Sequence, residues 1–190
     1  TPRDRFFVLL SGWLFFASQA NLILLLASLH PSIFMLQLSF TAESFWHIIE
    51  QWGTPGVAIY RAHFVFDNIH PFIYGVFGYL MVAKTPLFAG MPPVVHRTAL
   101  LTLPIAGLCD LLENAAHNYL LALPHGTDSP IIPLSAVCSS IKWGLATAFA
   151  LAFIVRLAQW QWVRHKSLFA IDESIIAKSR FFLFIHKNTP

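Results

Sequence analysis

The chain has 190 residues, 56% of them apolar and only 11% charged, with 12 Lys and Arg against 9 Asp and Glu. A soluble domain carries about 25% charged residues, so this composition excludes an ordinary soluble globular domain, and a formal charge of +3 carries no nucleic-acid-binding signature. What remains is an integral membrane protein, a single transmembrane domain over residues 1–190, whose 18 Phe and 6 Trp suit lipid contact and interfacial anchoring.

A membrane-spanning helix needs about 20 consecutive, mostly apolar residues. Phe6 to Leu29 is the first such segment. It is too long for a signal-peptide core and has no clear small-residue cleavage site, so it reads as a retained span. The loop that follows, from about His30 to His63, contains TAESFWHIIEQWG, residues 41–53. Thr41 is placed to cap a helix and Glu43 to sit in its first turn. Phe45, Trp46, Ile49 and Trp52 then share a face, which predicts a short helix lying on the outer leaflet. The second span is expected at Phe64 to Val82, the third at Ala99 to Leu123 and the fourth at Ala136 to Leu157. The tail segment DESIIAKSRFFLFIHK, residues 172–187, reads as a second interfacial helix.

The expected fold is therefore an all-α, four-helix membrane bundle. With four spans, ten basic residues share one side: Arg3, Arg5, Lys84, Arg97, Arg156, Arg164, Lys166, Lys178, Arg180 and Lys187. Arg61, Glu43, Glu50 and Asp128 fall on the other. The positive-inside rule then makes both termini cytoplasmic.

Against this apolar background the polar residues are conspicuous. DLLENAAH, residues 110–117, sets Asp110, Glu113, Asn114 and His117 at offsets of three, four and seven, on one helical face. His63, Asp67, His70 and Tyr74 fall at offsets of four, seven and eleven, with Pro71 expected to kink that helix. Ser135, Ser139 and Lys142 share a face of the fourth span, and Ser18, Gln19 and Asn21 lie late in the first. All four groups fall in the outer half of their spans, which predicts a polar site facing the non-cytoplasmic side. Ionisable residues at such depth face a bundle interior and pair there. Three acids, Asp67, Asp110 and Glu113, meet one Lys142, so a proton, a charged His or a bound cation has to balance them. Cys109 and Cys138 both lie in apolar segments and read as small buried hydrophobes, with no zinc-type pairing or disulfide framework.

The motifs Asp67-x3-Pro71-x2-Tyr74 and Pro104-x5-Asp110-x2-Glu113-Asn114 resemble those of uncharacterised small four-span membrane proteins. The resemblance covers mainly the second to fourth spans and implies membrane architecture without an activity. The chain lacks the full Ser, His-Asp and His-His set of alkaline ceramidase-like hydrolases, and it does not match the emopamil-binding isomerases.

Several function classes fit these residues. In an intramembrane enzyme acting on a lipid or isoprenoid, Asp110 or Glu113 would be the acid or base, with Asp67 beside them. His70 and His117 would shuttle protons, and Tyr74 and Lys142 would steady developing charge. A metal-assisted version would use His63, Asp67, His70, Asp110, Glu113 and His117 to hold zinc or iron. A non-catalytic subunit of a larger membrane complex would use the same residues as interhelical glue, its outer faces meeting lipid, partner subunits or a second copy of the chain. A b-type haem carrier would take His70 and His117 as axial ligands.

Overall fold

The computed structural model describes the backbone of residues 1–187 and the side chains of residues 1–165. Six α-helices form among these residues: α1 Pro2–Leu26, α2 Ile33–Gln37, α3 Ala42–Asp67, α4 His70–Lys84, α5 Pro93–Leu120 and α6 Ile131–Lys187. A 3₁₀ turn at Pro86–Phe88 precedes α5. By packing, the chain divides into two units, Thr1–Ala150 and Leu151–Pro190. The second holds the later turns of α6, where Ile154, Val155, Trp162 and Val163 are exposed and the Arg156 guanidinium donates to Gln159 Oε1 at 2.9 Å.

The four-helix expectation is wrong. There are six helices, and three are long and apolar enough to cross a membrane: Pro2–Leu26, Pro93–Leu120 and Ile131–His165. These correspond to the first, third and fourth expected spans. The expected second span, Phe64 to Val82, is cut in two at Asn68 and Ile69. Pro71 is the cause: it has no N–H to give to the Asp67 carbonyl, and it sits in the first turn of α4, where a missing N–H costs nothing. It starts a helix instead of kinking one. The 15 residues of α4 rise about 22 Å, short of a hydrocarbon core of about 30 Å. The count of four apolar spans falls with it.

The expected interfacial helix is also corrected. Thr41 does cap α3, its Oγ1 accepting from the Ser44 N–H at 3.2 Å. However, Phe45, Trp46, Ile49 and Trp52 are buried against Leu29, Leu36, Leu120, Leu121 and Ile132, and this aromatic face is the apolar core of the first unit. The amphipathic pattern was real, and its partner is the protein's own chain. Two indoles are tied by their N–H groups, Trp46 to the Thr127 carbonyl at 2.8 Å and Trp52 to that of Pro31 at 2.7 Å. The helix bends at Gly53, whose φ of 58° and ψ of −172° suit glycine, just before Pro55. The tail helix expected at residues 172–187 is the continuation of α6, and its side chains lie outside those described.

Helix α4 packs against α1 and α5, and small residues set the distances. A Cβ on Gly78 would lie 2.6 Å from Leu103 of α5, and one on Gly107 would lie 3.0 Å from the Pro71 carbonyl. Close approach of this kind is how helices associate where water gives no hydrophobic drive. At one end of α4, Lys84 lies 3.4 Å from Asp4 of α1. Helix α2 meets α6 where Phe34 packs on Trp143 at 4.6 Å and the Trp143 indole N–H donates to Gln37 at 3.1 Å.

The surface is apolar. Phe6, Leu9, Trp13, Phe16 and Leu24 are exposed on α1, and Leu101, Ile105, Leu108 and Leu112 form an exposed stripe on α5. Monomeric soluble proteins rarely expose continuous patches of this kind. The chain is a membrane-associated protein by this surface and by its three long apolar helices.

Candidate functional site

The buried face of α5 runs Leu103, Ala106, Gly107, Asp110, Glu113, Asn114, His117 and Leu120, a 3.6-residue period that turns from apolar to polar halfway along. Its opposite face carries the exposed Leu stripe. From Leu101 to Ala115 the exposed positions are all aliphatic, so the acids and the amide of that stretch face inward.

Lys142 of α6 is the hub. Its Nζ lies 2.9 Å from Asp110 Oδ1 and 2.7 Å from Glu113 Oε2. Asp110 Oδ2 accepts from the Tyr74 hydroxyl of α4 at 3.1 Å. Asp110, Glu113 and Lys142 are all buried, Glu113 completely. One ammonium therefore serves two carboxylates away from water. Buried ions persist only when paired this closely, because desolvation costs several kcal/mol per ion. Ser139, one turn before Lys142, spends its hydroxyl proton on the Ser135 carbonyl at 3.0 Å. Ser135 donates likewise to Ile132 at 2.8 Å.

A second group centres on Tyr60 of α3. Its hydroxyl is 2.6 Å from His117 Nδ1, and its ring stacks on His63 with centroids 4.5 Å apart. His63 Nδ1 bonds the Tyr60 carbonyl. A carbonyl only accepts, so Nδ1 carries the proton. His63 Nε2 then faces Asp67 Oδ2 at 3.5 Å. Asn114 donates to Asn68 at 3.3 Å, joining α5 to the break between α3 and α4.

His70 stands apart. Its Nδ1 is 2.7 Å from the Ser18 hydroxyl of α1, and its ring stacks on Phe15 and meets Tyr74 edge-on.

Every expected catalytic residue is thus buried: Asp67, His70, Tyr74, Asp110, Glu113, His117 and Lys142. Tyr74, Asp110, Glu113 and Lys142 form one connected group. His117 joins Tyr60, and Asp67 joins His63. The offsets that grouped His63, Asp67, His70 and Tyr74 on one continuous helix do not apply, because they lie on two helices. The six expected metal ligands do not converge either. Among the described residues no three of His, Cys, Asp and Glu are gathered to hold one ion. Asp110 and Glu113 face Lys142, His117 faces Tyr60, His63 faces Asp67, and His70 faces Ser18. The proposed haem ligands, His70 and His117, likewise have different partners on different helices. Of the α1 polar residues, Ser18 reaches the site, while Asn21 is exposed.

Sequence reasoning missed Tyr60 and Asn68. Tyr60 lay in a segment read as a loop. Its signal was the spacing Tyr60, His63, Phe64 and Asp67, which continues the helical period upstream.

Two atoms in this network are left over. Glu113 Oε1 and His117 Nε2 are buried without a hydrogen-bond partner among the described residues. Glu113 Oε2 is in ion-pair contact with Lys142, although without the alignment of a directed hydrogen bond. Buried polar atoms are nearly always paired, so exceptions call for a reason.

A cavity of about 300 Å³ opens nearby, lined by Ser28, Leu29, His30, Gln51, Trp52, Pro55, Gly56 and Ile59. None of the acids lines it. Trp52, on its wall, packs on Tyr60 with ring centroids 5.0 Å apart.

No protein family, curated protein or solved structure matches the chain.

Proposed function

We propose that the protein is a membrane enzyme that carries out acid–base chemistry on a lipid-soluble substrate, with Glu113 as the proton-transferring group and His117 as its relay. The observation that carries this reading is the pair of unpartnered atoms, Glu113 Oε1 and His117 Nε2, one turn apart on α5. A network made only to hold helices together would pair them. In this reading Lys142 fixes Glu113 through its other oxygen and anchors Asp110, which Tyr74 holds from the far side. Tyr60 orients the His117 ring. A proton removed from one substrate atom and returned to another balances without an oxidant or a second substrate.

The site's depth follows from α5 alone. Arg97 marks one end of that helix, and Lys84, Arg3 and Arg5 belong to the same end through the Lys84–Asp4 contact. Basic residues favour the cytoplasmic face. Asp110 is 13 residues on from Arg97, about 20 Å along the helix, which supports a site in the non-cytoplasmic half of the membrane.

The test is incubation of the purified protein with a membrane lipid extract in D₂O, followed by mass spectrometry of the lipids. Deuterium incorporated at carbon, or a new product, is expected with the unaltered protein and lost in Glu113→Gln. No mass change with any lipid fraction overturns the proposal.

A second reading is supported by the rest of the network. Asp110, His70 and Asn114 all have partners, and with the Tyr60–His117 bond they tie α1, α3, α4, α5 and α6. A structural subunit would use them to fix helix packing, with partner subunits or a second copy on its apolar faces. It predicts that Glu113→Gln lowers stability without changing any lipid.

A further inference from the structure

Glu113 and His117 are four residues apart on α5, so their Cβ atoms lie about 5–6 Å apart on one face. Both side chains are completely buried. Glu113 has committed Oε2 to Lys142, and His117 has committed Nδ1 to the Tyr60 hydroxyl. That leaves Oε1 and Nε2 without a directed hydrogen bond among the described residues, with the Ser139 hydroxyl beside the Glu113 carboxyl. The Ser135 and Ser139 hydroxyls both donate to their own helix backbone.

The chemistry of what belongs there can be read from the donors and acceptors. Glu113 Oε1 of a carboxylate only accepts. A Tyr60 hydroxyl that donates to His117 Nδ1 leaves the ring proton on Nε2. In that tautomer the two atoms offer one N–H and one carboxylate oxygen. A single atom that accepts from the first and donates to the second satisfies both. A hydroxyl oxygen does this. An ether or ketone would accept from His117 and leave Glu113 unpaired, and an ammonium would donate to Glu113 and leave the His117 N–H unpaired.

We infer that Glu113 Oε1 and His117 Nε2 together bind one hydroxyl group, the polar end of a lipid alcohol, in a directed chain from Tyr60 through His117 and the ligand to Glu113. This rests on the acid–base reading of the site and gives it a substrate class. The apolar exterior of the protein favours molecules whose remaining surface is hydrocarbon, and a hydroxyl is the smallest head that completes the chain. Water has the same chemistry and is the alternative source of the oxygen.

The experiment separates these sources. The purified protein in detergent is exposed to a long-chain alcohol carrying a photoreactive diazirine, and in parallel to its methyl ether. Labelled peptides are then mapped. Labelling of α5 by the alcohol at least tenfold above the ether is expected, with loss of that difference in His117→Asn, which retains an amide near Nδ1 and removes Nε2. The alcohol–ether comparison in the unaltered protein needs no variant to fold. A high-resolution structure without added alcohol is the second arm. Density for a lone oxygen between the two side chains, with no preferential labelling, would assign the hydroxyl to water and overturn the lipid-alcohol assignment. Equal labelling by both probes with no density there would overturn the hydroxyl site altogether. Alcohol labelling without deuterium incorporation in the lipid assay would leave this site standing and remove the acid–base function.

Discussion

At the scale of single residues, the strongest commitment in the molecule is Lys142. A lysine on an otherwise aliphatic helix is expensive to bury, and this one is held by two carboxylates within 3 Å. Removing the ammonium strands both acids. Lys142→Met is therefore expected to cost about 3–5 kcal/mol, measured by reversible unfolding in mixed detergent. Adding Asp110→Asn and Glu113→Gln to the same chain removes the stranded charges and is expected to recover more than half of that loss. A cost below about 1 kcal/mol for Lys142→Met would place the pair among solvated surface ion pairs. Asp110, Glu113 and Lys142 were legible in the sequence because intramembrane ions have few uses. Tyr60 was not, because a lone Tyr beside an Arg looks ordinary until the helix around it is known.

At the scale of elements, two helices were read well and one was misread. Helices α1 and α5 run continuously, and their limits fall within six residues of expectation. The segment from 42 to 84 does not, because glycine and proline punctuate it at Gly53, Pro55 and Pro71. Hydropathy alone saw one span there, while backbone chemistry makes two helices and a bend. Where α4 meets α5, packing tolerates no extra atoms. Gly78→Ala brings its Cβ to 2.8 Å from Leu103 Cβ and 2.6 Å from its Cδ1, contacts that rotation of the Leu103 side chain alone does not relieve. The expected cost is about 1–3 kcal/mol, partly recovered by Leu103→Ala. Gly144→Ala is the control, since a Cβ there meets nothing within 4 Å. It should be neutral or stabilising by a few tenths up to about 1 kcal/mol through helix propensity. Equal losses at both glycines would mean that α4 and α5 are not packed as described.

At the scale of the molecule, polarity is arranged inside out. Asp67, Asp110, Glu113, His63, His70, His117 and Lys142 lie within, while many Phe, Leu and Trp side chains are exposed. This makes sense only in a hydrocarbon solvent, where apolar surface carries no penalty and unpaired polar groups do. A direct check uses α5, the span that carries most of the site. Single cysteines introduced as R97C and D128C, with Cys109 and Cys138 replaced by Ala, should react with a membrane-impermeant maleimide from opposite faces of sealed vesicles. Reaction of both from the same face would remove α5 as a span and with it the depth assigned to the site.

The sequence by itself determined how apolar this chain is and which polar residues it carries. Composition is a bulk property, and helical period places a side chain on a face without knowledge of the neighbours. Only the tertiary structure decided who pairs with whom. Lys142 takes both acids of α5, His117 takes Tyr60, and the aromatic face of α3 packs on the chain rather than on lipid. Those choices depend on distances between segments far apart in sequence. They also left Glu113 Oε1 and His117 Nε2 buried without a hydrogen-bond partner among the described residues.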